Sequence, residues 1–183
     1  MIARATAVYH LHPSELRGDA LVPLSTLERT QPDLYERAIA KYRNRMGSLR
    51  RPLPELGCLW VDCVQFSTVH PEDLRDAMIA AGFGWPARGR QFLVFDAARL
   101  EASATSIWLH RDTSPREDMA AAMTDIVPFS TDRLHDLRAV ANGTRAYLAE
   151  MAQLERRPLL FVGVPHILHR GPVSLAGSRL LTI

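Results

Sequence analysis

The sequence lacks the features of a secreted, disulfide-rich or membrane-spanning protein. Its two cysteines, Cys58 and Cys63, are too few for a disulfide framework in a chain of 183 residues. No apolar run reaches the ~18–20 residues that cross a bilayer, and the first residues show no secretory signal. We therefore expect a cytoplasmic protein with no membrane partner.

Lysine is almost absent as well, because Lys41 is the only one and the other 21 basic residues are arginines. With 20 acidic residues the formal net charge is +2, which is far from the strong field typical of proteins that bind nucleic acids or membrane surfaces. The hydrophobic fraction of 47% and the charged fraction of 23% are ordinary for a globular protein. The length favours a single domain over residues 1–183.

Three common catalytic motifs are also missing. The sequence has no G-x-x-x-x-G-K-[ST] phosphate loop, no G-x-G-x-x-G turn and no G-x-S-x-G elbow. This removes the main support for a P-loop NTPase, a Rossmann dinucleotide-binding enzyme and an α/β-hydrolase.

The histidine and cysteine spacings argue against a metal site. Cys58 and Cys63 are five residues apart, which on a strand places the thiols on opposite faces, so both are predicted to be small buried hydrophobic residues. His166 and His169 could share an ion on a helix, but Pro165 and the breakers that follow make a helix improbable there. A metal needs three or four ligands, and we expect none.

Apolar periodicity and breaker residues predict a mixed order of strands and helices. Strands are predicted over residues 8–11, 58–66, 91–96, 106–109, 159–162 and 180–183. Helices are predicted over residues 30–49, 71–81, 114–123, 134–141 and 147–154. The strand at 58–66 is apolar throughout, as a central strand is, and the strands at 91–96 and 106–109 are predicted to be antiparallel neighbours. Without a regular βαβ alternation, the order favours an α+β fold with a mixed or antiparallel sheet and flanking helices.

Two short segments carry residues suited to ligand binding. His10 follows Tyr9 at the end of the first strand, where a neutral imidazole either bonds a ligand's ribose or amide or is satisfied within the fold. Ser67 and His70 stand between a buried strand and a helix, where they either face an anion at the helix N-terminus or merely cap the turn and the helix. Two other histidines, at 110 and 135, have polar neighbours and are predicted to be solvated.

A cluster of arginines precedes the central strand. Arg43, Arg45, Arg50 and Arg51 present planar guanidinium groups that suit phosphate oxygens. The alternative is a solvated helix end whose positive charges complement the helix dipole.

The order of these motifs resembles the ADP-ribosyltransferase fold, in particular the DNA-thymidine ADP-ribosyltransferase toxins and, more distantly, the RNA 2′-phosphotransferases. The likeness is carried by Tyr9-His10, by the basic segment, by the strand at 62–66, by the strand at 92–96 with Leu100, and by the segment at 159–165. The chain also resembles small uncharacterised bacterial proteins with Tyr-His-Leu, Cys-Leu-Trp-x-Asp and Pro-His-hydrophobic-Leu motifs, a likeness that implies no activity.

The resemblance implies an enzyme that binds NAD as a substrate in a cleft between the halves of a sheet and transfers ADP-ribose to a nucleic-acid or protein acceptor. It implies catalytic roles for Glu155 and Arg51, although Pro158 stands where the family has its glutamate. The cofactor-binding residues that it implies are Tyr9, His10, Arg45, Arg50, Ser67 and His70. The alternative is a non-catalytic nucleotide-binding or nucleic-acid-binding protein on the same scaffold.

Overall fold

A seven-stranded sheet is the main element of the structure, a computed structural model that describes residues 2–43, 46–110 and 125–183. Its strand order is β11-β6-β1-β5-β9-β7-β8, and every pairing among the described strands is antiparallel. The strands are β1 Ala7–Leu11, β5 Cys63–Ser67, β6 Gln91–Asp96, β7 Thr105–Trp108, β8 Ile126–Pro128, β9 His166–Arg170 and β11 Arg179–Thr182. Two small pairs complete the strands: β2 Ala20–Leu21 with β10 Val173–Ser174, and β3 Pro52–Leu53 with β4 Cys58–Leu59.

Four α-helices lie within the described ranges: α1 Leu24–Thr30, α2 Pro32–Ile39, α3 Pro71–Ala80 and α4 Asn142–Gln153. The α+β class is therefore confirmed, with an antiparallel sheet. The predicted helix at 71–81 is confirmed, because Pro71 begins α3 and Glu72 and Asp73 occupy its first turn.

The helix predicted over 30–49 is shorter than expected. Pro32 begins α2, but the helix ends at Ile39, and two 3₁₀ helices follow at Ala40–Tyr42 and Met46–Arg50. Gly47 weakens an α-helix in this stretch, and α1 was not predicted. Residues 131–137 likewise form a 3₁₀ helix, whereas α4 begins five residues before the predicted start at 147. The helix predicted over 114–123 lies outside the described residues.

The strand predicted over 58–66 is divided by a 3₁₀ turn at Trp60–Asp62. The Asp62 carboxylate accepts a hydrogen bond from the Leu59 amide at 2.9 Å and so closes this turn. The second part, β5, occupies the centre of the sheet, as predicted for this segment.

Two predictions about the strands are wrong, one about pairing and one about position. β6 and β7 are not neighbours, because β1, β5 and β9 lie between them. Two 3₁₀ turns at 97–104 carry the chain away from β6, helped by the Ala97 amide, which donates to the Thr6 carbonyl. Residues 159–162 form no strand, since their apolar side chains pack against α3 and α4, and the strand lies at 166–170 instead.

The largest apolar cluster forms on one face of the sheet. Phe66, Ile167 and Ile107 lie opposite one another on three adjacent strands, and all three are fully buried or nearly so. Leu134, from the 3₁₀ helix at 131–137, packs into the same cluster. A second cluster joins α3 to α4 through apolar side chains that include Leu74 and Leu148.

Truncating a leucine in the central strands should destabilise the fold far more than the same change at the edge. We expect Leu168→Ala, at a side chain with no exposed surface, to lower the free energy of unfolding by about 2–5 kcal/mol, because it leaves a cavity. Leu180→Ala in β11, where the side chain is 53% exposed, is the matched control and should cost less than about 1 kcal/mol. Urea denaturation of both variants checks this, and equal losses would contradict the strand order.

Candidate functional site

The sheet opens between β1 and β5. β1 pairs with β6 through five positions but with β5 through the single position Tyr9 and Ser67. The opening divides the sheet into a β6 half (β11, β6 and β1) and a β9 half (β5, β9, β7 and β8). A cleft of about 720 Å³ lies along it, a volume typical of small-molecule sites.

One end of the opening is held shut by Arg138. Its guanidinium donates to the Ala7 carbonyl on β1 at 3.1 Å and to the Thr68 carbonyl just beyond β5 at 3.4 Å. A third hydrogen bond, 2.5 Å long, reaches the Ala5 carbonyl. The strands are therefore joined near Tyr9 and diverge from there toward Leu11.

The His10 side chain connects β1 to β5 in the part of the opening where their backbones are not paired. Its Nδ1–H donates to the Gln65 carbonyl at 2.8 Å, in place of a backbone pairing between the two strands. Burial above all, together with the nearby charges of Lys41 and His12, lowers the pKa of this imidazole to about 4, against the opposing effect of the Gln65 bond. The ring is therefore neutral at neutral pH, and its Nε2 is an acceptor.

An aromatic wall, made of Trp60, Trp108, His110 and His166, forms one side of the cleft. Trp60 meets Trp108 edge-on at 5.5 Å between ring centroids, and His110 stacks on Trp108 at 4.2 Å. His166 lies opposite Trp108 in the β7–β9 register, with 5.5 Å between the rings.

Arg51 lies over this wall. Its guanidinium is 5.6 Å from the Trp60 ring and 5.7 Å from the Trp108 ring, within the range of a cation–π contact. Its backbone carbonyl accepts from the Trp60 amide at 2.8 Å, which fixes the residue beside the wall. Burial lowers the pKa of Arg51, but the group stays cationic at physiological pH.

Two indole N–H groups of the wall are buried without an acceptor. Neither Trp60 Nε1 nor Trp108 Nε1 has a hydrogen-bond partner among the residues that the structure describes. A buried donor without an acceptor costs free energy and is rare in folded proteins.

The cleft has a positive lining. Among its described residues, the cations are Arg17, Arg37, Lys41, Arg51, Arg90 and Arg157. Arg17 and Arg37 are both ion-paired with Glu15, at 2.5 and 2.7 Å, and with Asp33, at 2.8 and 2.9 Å, so these two cations are balanced and the other four leave the described lining positive. This excess of positive charge in a partly enclosed space favours an anionic ligand.

Four of the residues predicted for the site line the cleft: Tyr9, His10, Arg51 and Ser67. The hydroxyl of Ser67 accepts from the Val69 amide at 3.0 Å and donates to the Val69 carbonyl, so it also closes the turn after β5.

Other predicted residues lie elsewhere. His70 caps α3, with Nδ1 accepting from the Glu72 amide at 3.2 Å, so the alternative of a simple capping role fits its position. Arg50 is exposed at the end of a 3₁₀ helix and does not line the cleft. Arg45 lies outside the described residues.

Glu155, the predicted catalytic carboxylate, does not line the cleft. It is exposed just after α4, at a positive φ of 52°, and lines a neighbouring hollow that we call the side depression. The side depression and the cleft share Met78, Arg90, Arg157 and Pro158.

Sequence reasoning missed the aromatic wall. His110 was expected in solvent but is only 6% exposed, and its Nε2 accepts from the Gly163 amide at 3.2 Å. His135 is exposed, as predicted. Trp60 lies within the strand predicted over 58–66 and Trp108 within the strand predicted over 106–109, which was the available signal, but their meeting depends on the order of the strands in the sheet.

The two thiols also differ from expectation. Cys58 and Cys63 have their Sγ atoms 3.7 Å apart, because the 3₁₀ turn between them brings β4 and β5 together. Burial raises the pKa of both thiols, so they are protonated at neutral pH. His169, for its part, donates to the Thr105 hydroxyl at 2.9 Å and is buried away from the cleft.

The described ranges contain no group of three or more histidine, cysteine or acidic side chains placed to hold a metal ion. None of the helices in these ranges combines the length and the apolar character needed to cross a bilayer. Comparison of the chain with protein-family models, with curated proteins and with solved structures found no match.

The buried, neutral state of His10 can be tested by titration. The folded protein holds the pKa of this imidazole near 4, below the ordinary value of 6.5, so the unfolded chain takes up a proton first as the pH falls. We expect the free energy of unfolding to decrease between about pH 6.5 and pH 4, and His10→Gln to make this decrease shallower. NMR of the imidazole C–H signals, with His10→Gln for assignment, measures the midpoint directly, and a midpoint near 6.5 would contradict the buried position.

Proposed function

We propose that the protein binds a nucleotide in the cleft between the two halves of its sheet, and that NAD is the nucleotide to test first. The observation that carries this proposal is that a neutral imidazole, His10, and a cation, Arg51, line the same cleft as the aromatic wall. A nucleotide combines the three groups that such a lining suits: hydroxyl or amide donors, a phosphate and a planar ring.

The neutral imidazole supports the ribose or amide part of the proposal. Because Nδ1–H of His10 is committed to the Gln65 carbonyl, Nε2 is available as an acceptor. Ribose hydroxyls and carboxamide N–H groups are donors that complement it. Phe66 packs edge-on against His10 at 5.8 Å and keeps the ring in this orientation.

Arg51 and the aromatic wall support the phosphate and ring parts. A guanidinium binds phosphate oxygens through two parallel N–H donors, and an aromatic lining gives a planar ring an apolar surface to pack against. Both features occur here within the reach of one ligand, since the Arg51 guanidinium lies less than 6 Å from both indole rings.

The position of Glu155 argues for binding without transfer of ADP-ribose. A transferase needs a carboxylate beside the ribose to stabilise the positive charge that develops there. The one carboxylate in the described lining, Glu15, is held by two arginines, and Glu155 faces the side depression. Because that depression shares residues with the cleft, transfer to a nucleic-acid or protein acceptor is kept as the second candidate.

Calorimetric titration with NAD tests the binding proposal. We expect Arg51→Ala to weaken NAD binding about tenfold or more, since it removes a charge-assisted contact to phosphate. Arg50→Ala is the matched control, because it removes the neighbouring exposed guanidinium outside the cleft and should leave the affinity within about twofold. His10→Ala should also weaken binding. No heat of binding with NAD, NADP or ADP-ribose at millimolar concentrations would reject the proposal.

Release of nicotinamide from NAD separates binding from transfer. We expect the wild-type protein to release none above the uncatalysed rate, and Glu155→Gln to bind NAD as tightly as the wild type. Chromatography of the reaction mixture, with nucleic acid or protein added as acceptor, measures the product. Release by the wild type that Glu155→Gln abolishes would establish the second candidate instead.

A further inference from the structure

We infer that the cleft has a second phosphate position, between Arg90 and Arg157, where the cleft meets the side depression. This inference rests on the proposed function and deepens it, because it assigns a nucleotide that carries a second phosphate group separate from its diphosphate, with one phosphate position in each half of the sheet. Arg51 binds phosphate at the β9 half of the sheet, and the pair of Arg90 and Arg157 binds phosphate at the β6 half.

The Arg90 side chain is held in place by its contacts, unlike a mobile arginine on the surface. Its backbone amide donates to the main-chain oxygen of Ile183 at 2.7 Å, and its carbonyl accepts from the Ile183 amide at 3.0 Å. Its guanidinium lies over Trp85 at 5.0 Å, and the Trp85 indole N–H donates to the same Ile183 oxygen at 2.7 Å. The residue directly precedes β6, so the sheet sets its position.

Arg90 has no ion-pair partner within the described residues. Neither Arg90 nor Arg157 forms an ion pair with a carboxylate in these parts of the chain, and the buried Nε of Arg90 has no acceptor there. Burial and the nearby charge of Arg157 both lower the pKa of Arg90. Two guanidinium groups of like charge thus stand together at the shared boundary of the two hollows.

A phosphate group reduces the electrostatic repulsion between these two guanidinium groups. It offers several acceptor oxygens and up to two negative charges, and two arginines can bind it through parallel N–H donors. A neutral ligand would leave the repulsion between the two arginines in place. A single carboxylate would supply half the charge.

The position is distinct from that of Arg51. Arg90 precedes β6, whereas Arg51 lies over Trp108 at the end of β7, and three strands, β1, β5 and β9, lie between β6 and β7. The segment at 157–162 runs along the cleft between the two regions. Arg157 begins it, and Phe161 contacts His166 of the aromatic wall at 6.5 Å.

Inorganic pyrophosphate, titrated by calorimetry, is the probe that tests this inference. The titration uses protein that carries Arg51→Ala, so that any remaining binding comes from the second position. We expect pyrophosphate to bind this protein, and addition of Arg90→Ala and Arg157→Ala to weaken binding about tenfold or more. The matched control adds Arg133→Ala and Arg145→Ala, which removes two exposed arginines away from both hollows and should leave the affinity within about twofold.

Two outcomes would overturn the inference: no pyrophosphate binding by the Arg51→Ala protein, or binding that the Arg90 and Arg157 substitutions leave unchanged. Arg90 packs on Trp85, so circular dichroism checks the fold of each variant, and the single change Arg157→Ala, at an exposed residue, repeats the test without that contact. If pyrophosphate binding depends on Arg90 and Arg157 but wild-type protein binds no NAD, the second position stands and the nucleotide proposal fails.

Discussion

The hydrogen bond from the His10 imidazole to the Gln65 carbonyl determines the geometry of the cleft. Between two fully paired strands that carbonyl would accept a backbone amide, and the sheet would be continuous. Here a side chain takes that place, at 2.8 Å, and holds the strands apart while satisfying a buried acceptor. At the other end of the opening, Arg138 holds the strands together, because its guanidinium binds the backbone of β1 and that of the residue after β5. Together the two side chains define an opening of fixed width.

Local sequence signals were enough for the elements whose cause is local. Pro71 with two carboxylates predicted the start of α3, and the apolar run at 91–96 predicted β6 at its observed bounds. The predictions failed where a distant contact decides the outcome. The segment at 159–162 is as apolar as a strand, but α3 and α4 supply the partners that bury it. The pairing of β7 with β9 joins residues about sixty positions apart, and no local pattern indicates it.

The same distinction applies to the candidate site. Tyr9-His10 and Arg51 could be selected from their residue types and their place beside strands, and the structure brings them to one cleft. Arg50 and Arg51 are neighbours in the same basic segment, and the structure distinguishes them: Arg51 lies over Trp60 and Trp108, whereas Arg50 is exposed outside the cleft. Trp108, His110 and His166 come from separate segments. Their meeting is a property of strand order, which composition and spacing do not determine.

The single paired position between β1 and β5 leaves the molecule with two half-sheets that share little backbone bonding. A ligand bound between them makes contacts at the positions where a continuous sheet would have backbone hydrogen bonds between its strands. The binding free energy of that ligand also holds the two halves together. The protein with ligand bound therefore resists separation of the halves more strongly than the protein without it. The opening between β1 and β5 is the mechanically weak part of the sheet, and a bound ligand strengthens it.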